Sequence, residues 1–537
     1  MIAPKHARAI FTVIVIAYCL YAVAFIVRTS AVIEPESYIP EGKRYFVLFD
    51  DAMISMRYAR NLANGYGLVW NPGGERVEGF TNPAWVGYMA IFHGLGIDES
   101  KTSLAIQLSG LLFLAANLFV VRRIADRLTG RPVVGLGAAL FTAFYLPLNT
   151  WSLQGTEVSV LTLIVSLAAC WTLRDLDGGR FPVAPYLLLG FSTLIRMDMA
   201  VPFLAVLSFL FFADRAHRWR HVLAGLLILA AFVAPQTIFR RWYYGDWLPN
   251  TYYLKMEGYP LVKRLTHGLE VSGRFFARFG ILSFGVFVFR RDRGARLLAW
   301  LFVAQVVYNI YVGGDAWEHY GGANRYLSIA MPLLFVLLWT ALDALAAHLI
   351  AGGRQLAGQA PGRAAEPRAV RIGLGVFVVF LFITFNYTYG TGALKEWLLI
   401  EPSLYAAGNG DKVRQALLLE AITTPAARTA LAGAGIVPYF AENRQFVDLL
   451  GKNDRVIGRM AMDQTIIPEF KPGHMKWDYA YSIGELRPDV VLELWVHEQD
   501  AGPYLNDVYQ PVWFPPKNGN VWLLRDSPNI LWERLGG

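Results

Sequence analysis

The sequence YFVLFDDAMISMRYARNLANGYGLVWNPGGERVEGFTNPAW, at residues 45–85, lies between one long apolar run and a series of further apolar runs. The run before it, Ile10 to Val27, is close to the roughly 20 residues that a helix needs to cross a bilayer. Within the quoted sequence, Asp50 and Asp51 follow a short apolar segment, and a glycine-rich segment comes after them. We therefore interpret residues 45–85 as part of a polar loop at a membrane surface.

The composition of the chain is that of a polytopic membrane protein. Of its 537 residues, 55% are hydrophobic and 17% are charged, whereas soluble proteins carry about 25% charged residues. The two cysteines, Cys19 and Cys170, lie in apolar runs and indicate neither a disulfide framework nor a zinc site. The first apolar run lacks a clear small-residue cleavage site, so we expect a retained first helix.

Apolar runs and arginines together predict the topology. The candidate spans are residues 10–28, 103–121, 132–149, 157–173, 182–196, 198–213, 221–239, 276–290, 296–312, 327–349 and 372–390. A further run, 83–97, is short, begins with Pro83 and contains three glycines. If this run lies at the interface or is re-entrant, every arginine cluster between spans falls in the cytoplasm. We therefore predict eleven spans with the N-terminus cytoplasmic and the C-terminus outside. The alternative is that 83–97 crosses and another short run does not.

The sequence divides into two parts. Residues 1–390 form the predicted transmembrane domain, whose first extracytoplasmic loop is 29–102, and residues 391–537 form a soluble extracytoplasmic domain. The second part contains short strand-like runs, such as RQFVDLL and DVVLELWV, and a helical pattern near 411–421, which indicates an α/β domain. Acidic residues outnumber Lys and Arg in it, so the overall charge of +8 comes from cytoplasmic loops and not from a nucleic-acid surface.

Adjacent carboxylates near a bilayer surface indicate chemistry. A carboxylate at this depth is costly unless it is paired or functional. Asp50 and Asp51 repel each other, which raises the pKa of at least one, and a carboxylate with a raised pKa suits a general base that takes a proton from a sugar hydroxyl. The alternative is structural: Asp50 caps a helix over residues 51–64, and Asp51 pairs with Arg57.

These residues carry a resemblance to a known family. Residues 50–85 resemble the first extracytoplasmic loop of GT-C-type membrane glycosyltransferases, most similarly the branch that includes the mycobacterial terminal arabinofuranosyltransferases. Four further motifs of that branch follow in order: LQGTEVS (153–159), LIRMDM (194–199), YYGDWLPNTYYLK (243–255), and VGGD (312–315) with the downstream Arg325. The C-terminal segments GAGIVPYF, VDLLGKND and GHMKWDY are also similar to that branch, so the resemblance covers essentially the whole chain.

The resemblance implies transfer of a sugar, arabinofuranose, from a polyprenyl-phosphate donor to a glycan or glycolipid of the cell envelope. The reaction would take place on the outer face of a bacterial cytoplasmic membrane, with Asp50 as catalytic base and Asp51 beside it. No cofactor is indicated with certainty. The two aspartates, together with Asp315, would suit a divalent cation such as Mg²⁺, Mn²⁺ or Ca²⁺.

A lipid phosphate leaving group needs positive charge, which Arg and Lys supply. The candidates for the donor phosphate are Arg57, Lys255, His319 and Arg325. The candidates for binding sugar or acceptor are Glu78, Thr81, Asn82, Glu157, Asn250, Asp315 and His474. The structural alternatives are a salt bridge of Arg325 with Asp315, a snorkelling Lys255 at the interface, and turn or cap chemistry for the loop residues.

Two rival functions remain open from the sequence. Another GT-C enzyme could transfer mannose, glucose or aminoarabinose to a protein or a lipid. A transporter or lipid flippase would also have many spans, but transporters place charged sites near the midplane and often show internal repeats. In this chain the ionisable motifs are predicted at one interface, and no repeat is visible.

Overall fold

The computed structural model describes residues 3–36, 42–278, 280–290, 292–356, 368–462 and 470–535. Helices make up most of these ranges. The α-helices are α1 Pro4–Thr29, α2 Asp50–Ala63, α3 Pro83–Gly94, α4 Glu99–Thr129, α5 Pro132–Ala143, α6 Leu146–Leu153, α7 Val158–Asp177, α8 Val183–Ile195, α9 Ala200–Ala213, α10 Arg218–Tyr244, α11 Asn250–Met256, α12 Leu261–Ala277, α13 Val286–Phe289, α14 Arg293–Val312, α15 Arg325–Ser328, α16 Met331–Leu356, α17 Arg368–Asn386, α18 Thr391–Trp397, α19 Asn409–Ile422, α20 Ile436–Phe440, α21 Arg455–Arg459 and α22 Gly502–Leu505.

Six of these helices are long and apolar enough to cross a membrane: α1, α4, α7, α10, α14 and the part of α16 over Met331–Ala351. Three bent pairs pass the same test together, α5 with α6, α12 with Gly280–Phe289, and Ile372–Asn386 with α18. Two shorter apolar helices, Val183–Ile195 and Met197–Ala213, complete the set found in the described residues. The chain is therefore a polytopic helical membrane protein as predicted, while the number eleven stays a prediction.

Two predicted boundaries differ in the structure. The run 276–290 was expected as one span, but α12 begins at Leu261 and ends at Ala277, and a bend of 69° separates it from Gly280–Phe289. The first half of the expected loop 150–157 is helical, because α6 continues α5 after a 54° bend and ends at Leu153. Every residue of α6 is buried, so this segment belongs to the packed interior.

The short run 83–97 forms helix α3. At about 1.5 Å rise per residue, its 12 residues extend about 18 Å, which is shorter than the roughly 30 Å hydrocarbon core. It packs against α2 and buries Trp85, Val86 and Met89. This length is consistent with the interfacial placement that the arginine pattern required.

The C-terminal part contains a five-stranded mixed sheet, as the prediction of an α/β domain required. The strands are β1 Ala31–Ile33, β2 Lys43–Tyr45, β3 Arg428–Leu431, β4 Gln445–Asp448, β5 Val490–Val491, β6 Tyr509–Phe514 and β7 Gly519–Leu524. The sheet order is β4-β3-β5-β7-β6, with β3 parallel to both β4 and β5 and with β7 antiparallel to both β5 and β6. The first two strands form a separate antiparallel pair. The predicted helix near 411–421 is α19.

The two ends of the helical bundle differ in chemistry. Connections at one end are held by arginines: Arg127 pairs with Asp177 at 2.9 Å, and Arg290 donates to the Leu128 carbonyl at 2.7 Å. We call this the arginine-rich end. Helix α2 and the sheet domain meet at the opposite end, which we call the domain end.

Candidate active site

The paired aspartates lie at the start of α2, at the domain end. Asp50 is the first residue of the helix and Asp51 the second, and no side chain caps the helix terminus. The exposed backbone N–H groups and the helix dipole favour negative charge at this position. Because consecutive residues on a helix point in directions about 100° apart, the two carboxylates have different neighbours.

Asp51 lies between two cations. Lys452 Nζ donates to its Oδ1 at 2.6 Å, and Arg325 Nη1 donates to its Oδ2 at 3.2 Å. Burial opposes ionisation, but the charges of Lys452 and Arg325 outweigh it and hold the pKa of Asp51 well below its usual range. This shift has the opposite sign to the raised pKa that we expected from two adjacent carboxylates. The expected pairing of Asp51 with Arg57 is also absent, because Arg57 has other partners.

Asp50 faces the sheet domain. Its Oδ1 accepts from the backbone N–H of Ile436 at 3.0 Å and lies 3.5 Å from Lys412 Nζ. The Asp50 carboxylate raises the pKa of Lys412. Among the described residues, no donor is recorded for Oδ2 of Asp50, and its side chain keeps 23% of its exposure. Asp50 therefore retains one oxygen without a hydrogen-bond donor in the described chain, whereas both oxygens of Asp51 are bound.

Arg325 forms a two-pronged ion pair with Asp315. Its Nε and Nη2 donate to the two carboxylate oxygens at 2.6 and 2.7 Å. The salt bridge between Arg325 and Asp315, which the sequence left open as the alternative to phosphate binding, is therefore present. Arg325 also contacts Asp51. Next to them, Glu318 accepts from the Asp315 backbone N–H at 2.5 Å. Burial, together with the negative charge of Asp315, raises the pKa of Glu318 to about 8.

Lys255 supplies positive charge without a bound partner. It lies on α11 close enough to Asp51, Asp315 and Arg325 to interact electrostatically with all three. Burial, reinforced by the positive charge of Arg325, lowers the pKa of Lys255 to about 8. Among the residues that the structure describes, none forms a hydrogen bond or ion pair with its ammonium group. A cation in this state can bind an anionic ligand without first losing a protein partner.

The two candidate histidines are neutral. His319 is fully buried among Trp151, Tyr389 and Tyr405, and neither ring nitrogen has a hydrogen-bond partner in the described chain. Burial lowers its pKa to about 3, so the structure does not support His319 as a cation for the donor phosphate. His474 is closer to the carboxylates.

Burial and the charge of Lys452 lower the pKa of His474 to about 3. Its Nδ1 lies 3.3 Å from the Pro472 carbonyl, and its ring packs edge-on against Trp317 with centroids 5.5 Å apart. An interaction with Asp51 also places it beside the site. His474 can therefore contact a substrate as a neutral side chain, and a role in acceptor binding stays a prediction.

Asn250 holds the loop that carries Lys452. Its Nδ2 donates to the backbone carbonyls of Gly451, Lys452 and Asp454 at 2.9, 3.1 and 3.0 Å. Its own backbone N–H donates to the Glu78 carbonyl at 3.1 Å. This residue was expected to bind substrate, but the structure uses its amide to position a loop of the sheet domain.

A buried polar network connects α2 to the helices behind it. Ser55, one turn beyond Asp51, donates to Asn82 Oδ1 at 2.9 Å, and Asn82 Nδ2 donates to Glu157 at 3.0 Å. Glu157 accepts from Arg196 Nη1 at 3.1 Å, and Arg196 also pairs with Asp198. Asn82 and Glu157 are therefore already paired with protein groups, and the structure brings them behind the site.

The remaining loop candidates do not converge on the aspartates. Glu78 is buried in an ion pair with Arg240 of α10, with Nη2 3.3 Å from its Oε1. Thr81 is exposed, and no hydrogen bond of its side chain is recorded in the described residues. Arg57 is completely buried and donates to backbone carbonyls of Trp70, Pro438 and Arg444.

The Arg57 guanidinium also lies 4.8 Å from the ring centroid of Phe446. It therefore binds the first loop to the sheet domain and has little capacity left for a donor phosphate. The spacing of Arg57 from the aspartates suggested a common face of the helix, but the side chain donates to the Pro438 and Arg444 carbonyls of the neighbouring domain.

The number of free carboxylate oxygens decides whether the site can hold the predicted divalent cation. A cation of the Mg²⁺ or Ca²⁺ type needs several free oxygen ligands. Asp51 and Asp315 have both oxygens bound by Lys452 and Arg325, so this donor set does not fit a metal without displacing two basic side chains. Among the described residues, no group of three His, Cys, Asp or Glu side chains is arranged to hold one.

Two functional lysines were missed from the sequence. Lys452 lies in the loop after β4 and Lys412 on α19, both more than 360 residues from the aspartates they contact. VDLLGKND was noted only for its similarity to the family. The sequence signal that could have identified Lys452 is a lysine directly after Gly451, a residue that adopts a positive φ of 72° typical of a glycine turn.

Comparisons with known proteins agree with the motifs. Residues 83–239 match the family model described as dolichyl-phosphate-mannose-protein mannosyltransferase, and residues 404–525 match a domain of unknown function, DUF8728. Two terminal beta-(1->2)-arabinofuranosyltransferases are similar in sequence. The protein of Mycobacterium tuberculosis is 32% identical over 216 residues, and that of Corynebacterium glutamicum is 29% identical over 223 residues. Each match covers 38% of this chain but only 34% and 32% of those relatives, so about a third of their length is matched.

Solved structures show the fold. The structure of ArnT from Cupriavidus metallidurans bound to undecaprenyl phosphate aligns over 98% of this chain and 99% of its own, with a TM-score of 0.55 and 14% identity. The archaeal oligosaccharyltransferase AglB from Archaeoglobus fulgidus, in complex with an inhibitory peptide and a dolichol-phosphate, aligns over 96% of this chain and 75% of its own, with a TM-score of 0.54 and 10% identity. The chain has the fold of GT-C membrane glycosyltransferases, and its sequence is related to terminal arabinofuranosyltransferases, which confirms the class predicted from the motifs.

Proposed function

We propose that the protein transfers a sugar, arabinofuranose, from a polyprenyl-phosphate donor to a glycan or glycolipid of the cell envelope. One observation carries the proposal: two groups with free binding capacity occur at the same site. Asp50 keeps one oxygen without a donor, and Lys255 has no bound partner in the described chain. Acid–base chemistry at an acceptor hydroxyl and charge neutralisation at a phosphate need these two groups. The relationship to arabinofuranosyltransferases supports the choice of sugar.

Asp50 acts as the general base. Its Oδ2 accepts the proton of the acceptor hydroxyl while the hydroxyl oxygen bonds to the anomeric carbon of the donor sugar. The backbone N–H of Ile436 holds the other oxygen and fixes the orientation of the carboxylate. Asp51 remains an anion between Lys452 and Arg325, where its strongly lowered pKa makes it a poor base. Its role is to hold the two cations and the α2 terminus in place.

Lys255 receives the leaving group. Breaking the bond between the anomeric carbon and the phosphate oxygen converts a phosphodiester with one negative charge into a phosphomonoester with two. A protonated lysine stabilises this new charge more than the original one, which lowers the barrier of the reaction. The neighbouring Arg325 adds positive potential from its fixed position on Asp315. No protonation of the phosphate is needed.

The placement in the membrane follows from the arginines. We propose that the arginine-rich end faces the cytoplasm, since cytoplasmic loops carry the excess of Lys and Arg. The site and the sheet domain then lie on the outer face, where lipid-linked sugars and envelope glycans meet. The proposed location is the cytoplasmic membrane of a bacterium.

The test is a donor panel. The purified full chain in nanodiscs is incubated with an arabinan-type oligosaccharide and with polyprenyl phosphates carrying radiolabelled arabinofuranose, mannose, glucose or aminoarabinose. We expect product from the arabinofuranosyl donor. Product from another donor alone would retain sugar transfer and reject arabinofuranose. No product from any lipid-linked sugar, with export of label from donor-loaded vesicles instead, would favour a transporter.

Transfer of a different sugar is the second candidate function, and two of the comparisons support it. The family model over residues 83–239 is described by mannose transfer to protein, and ArnT shares the fold over almost the whole chain. A different sugar with the same lipid phosphate therefore remains the main alternative, and the donor panel separates it. The site chemistry derived above would be unchanged, because it acts on the phosphate and the acceptor hydroxyl.

A further inference from the structure

A large cavity opens at the arginine-rich end, away from the aspartates. Its volume is about 1160 Å³, and it lies between the α7–α8 connection, the α9–α10 connection and the first half of α14. Phe181, Phe209, Phe284 and Phe287 form apolar parts of its wall. None of the residues proposed for sugar transfer lines it.

Five arginines line this cavity: Arg180, Arg215, Arg220, Arg293 and Arg296. Among the described residues, none of the five forms an ion pair. Arg220 lies over the ring of Phe181, with its guanidinium carbon 5.3 Å from the centroid. The positive charges of these five arginines are therefore not neutralised by ion pairs with described residues.

The carboxylates in the same wall are already paired. Asp175 accepts from Arg174 at 2.8 Å, and Asp214 lies 3.1 Å from His217 Nδ1 and 3.2 Å from His221 Nε2. Elsewhere at this end, Arg127 and Arg131 have acidic partners, as in the Arg131–Asp343 pair at 3.1 Å, whereas Arg8 and Arg123 form no ion pair within the described residues. The five arginines of the cavity differ from Arg8 and Arg123 because they line one concave space together.

An apolar groove continues from the cavity along α14. It has a volume of about 850 Å³ and shares Phe212, Trp300 and Val303 with the cavity. From Trp300 to Tyr311 the groove follows α14 for about 16 Å, at about 1.5 Å per residue. This length is close to half of the roughly 30 Å hydrocarbon core, that is, one leaflet. Its rim includes exposed apolar side chains, Leu204, Phe212 and Val307, so it is open to lipid.

We infer that this cavity and groove bind an anionic phospholipid of the leaflet at the arginine-rich end, with a headgroup of two phosphates as in cardiolipin. Basic pockets between transmembrane helices on the cytoplasmic side are known to bind such headgroups. Five unpaired arginines exceed what one phosphate neutralises, and the cavity is far larger than one phosphate group. The groove accommodates an acyl chain over the depth of a single leaflet, which suits a phospholipid better than a much longer polyprenyl chain.

The inference is independent of sugar transfer and depends only on the proposed placement in the membrane. Native mass spectrometry of the full chain in detergent measures binding of cardiolipin, phosphatidylcholine and the deacylated cardiolipin headgroup. We expect cardiolipin to bind clearly more tightly than either of the other two. Arg293→Gln with Arg296→Gln should weaken cardiolipin binding by roughly tenfold or more, because each basic side chain near the surface contributes to binding of anionic lipid.

The matched control removes the same charge from the same end. Arg8 and Arg123 are exposed and outside the cavity, so the double variant Arg8→Gln with Arg123→Gln should bind cardiolipin like the wild type. Ala304→Phe narrows the groove without changing charge and should also weaken cardiolipin binding. Equal loss in the control, unchanged binding in both cavity and groove variants, or equal affinity for the deacylated headgroup would each overturn the inference.

Discussion

Lys452 and Asp51 are 401 positions apart in the sequence, yet Lys452 Nζ donates to Asp51 Oδ1 at 2.6 Å. This ion pair joins a loop of the sheet domain to the first extracytoplasmic loop. It makes the candidate site a composite of both parts of the chain. A change in the position of the sheet domain is therefore a change in the charges around the aspartates.

The first prediction concerns this pair. Lys452→Met removes the cation, while Asp51 remains enclosed with only Arg325. Removing one partner of a buried ion pair costs about 3–5 kcal/mol, and the partial exposure of Asp51 places our expectation at the lower end. The melting temperature of the purified protein should fall, and transfer should decrease. The exposed Lys101→Met serves as control, and an equal melting temperature in both variants would contradict the prediction.

A substitution at Asn250 tests the positioning of the Lys452 loop without removing a charged side chain from the site. Asn250→Ala removes an amide whose two N–H groups are shared among three carbonyls of the loop around Lys452, and each hydrogen bond is worth about 1 kcal/mol net. We expect kcat to fall at least tenfold while KM for the lipid donor changes little, because the loop moves but the phosphate-binding charge remains. Asn506→Ala, at an exposed position, is the control. A large rise in donor KM with unchanged kcat would instead indicate direct substrate binding by Asn250.

Gly435 makes room for Asp50. A Cβ at this position would lie 1.9 Å from the Asp50 carbonyl oxygen and 3.0 Å from its carboxyl carbon. Gly435→Ala should therefore displace the start of α2, cost about 1–3 kcal/mol in stability and strongly reduce transfer. Gly408→Ala has no atom within 4 Å of the new Cβ and should be tolerated. Equal activity of the two variants would show that Gly435 does not fix Asp50.

The lowered pKa of Lys255 leads us to expect an alkaline limit for the reaction. Its pKa is lowered to about 8, so its positive charge is present below that pH and is lost as the pH rises through it. Transfer should therefore decline above about pH 8. Lys255→Arg should keep activity to higher pH, and Lys255→Gln should be poorly active throughout. A pH profile that is the same in the wild type and Lys255→Arg would argue against the lysine as the controlling group.

The raised pKa of Glu318 should make the free energy of unfolding depend on pH. Burial and the charge of Asp315 raise the pKa of the Glu318 carboxyl in the folded state to about 8 from its ordinary value of 4.5. Between these values the folded protein keeps a proton that the unfolded chain releases, so the free energy of unfolding falls as the pH rises from about 4.5 to about 8. Glu318→Gln should reduce this slope and be most favourable, relative to wild type, at the alkaline end. Melting temperatures across this range measure it, and an unchanged slope would refute the assignment.

Local sequence predicted the elements of the site better than their contacts. Helix α2 begins at Asp50, one residue before the predicted start, because the apolar residues that follow the aspartates have helical spacing. The strands β4 and β5 fall within the predicted runs RQFVDLL and DVVLELWV. Strand β6 was missed, since Pro511 interrupts its sequence and edge strands tolerate proline.

The partners of the aspartates could not be predicted from the sequence. Lys412 and Lys452 look like ordinary lysines of a soluble domain until that domain docks on α2. Arg57 was expected near the donor phosphate, but long-range hydrogen bonds to Pro438 and Arg444 determine its position. Contacts between segments hundreds of residues apart depend on how domains pack, and neither periodicity nor spacing encodes that packing locally.

The central claim is that Asp50 removes the acceptor proton. The most direct measurement is the transfer of radiolabelled sugar from the polyprenyl-phosphate donor by the wild type, by Asp50→Asn and by the exposed control Asp411→Asn, with donor binding measured in parallel. We expect Asp50→Asn to lose about 10²–10⁴-fold in rate while it still folds and binds the donor. The control should remain active. Wild-type transfer rates in Asp50→Asn would contradict the claim and leave Asp50 as a structural residue of the domain interface.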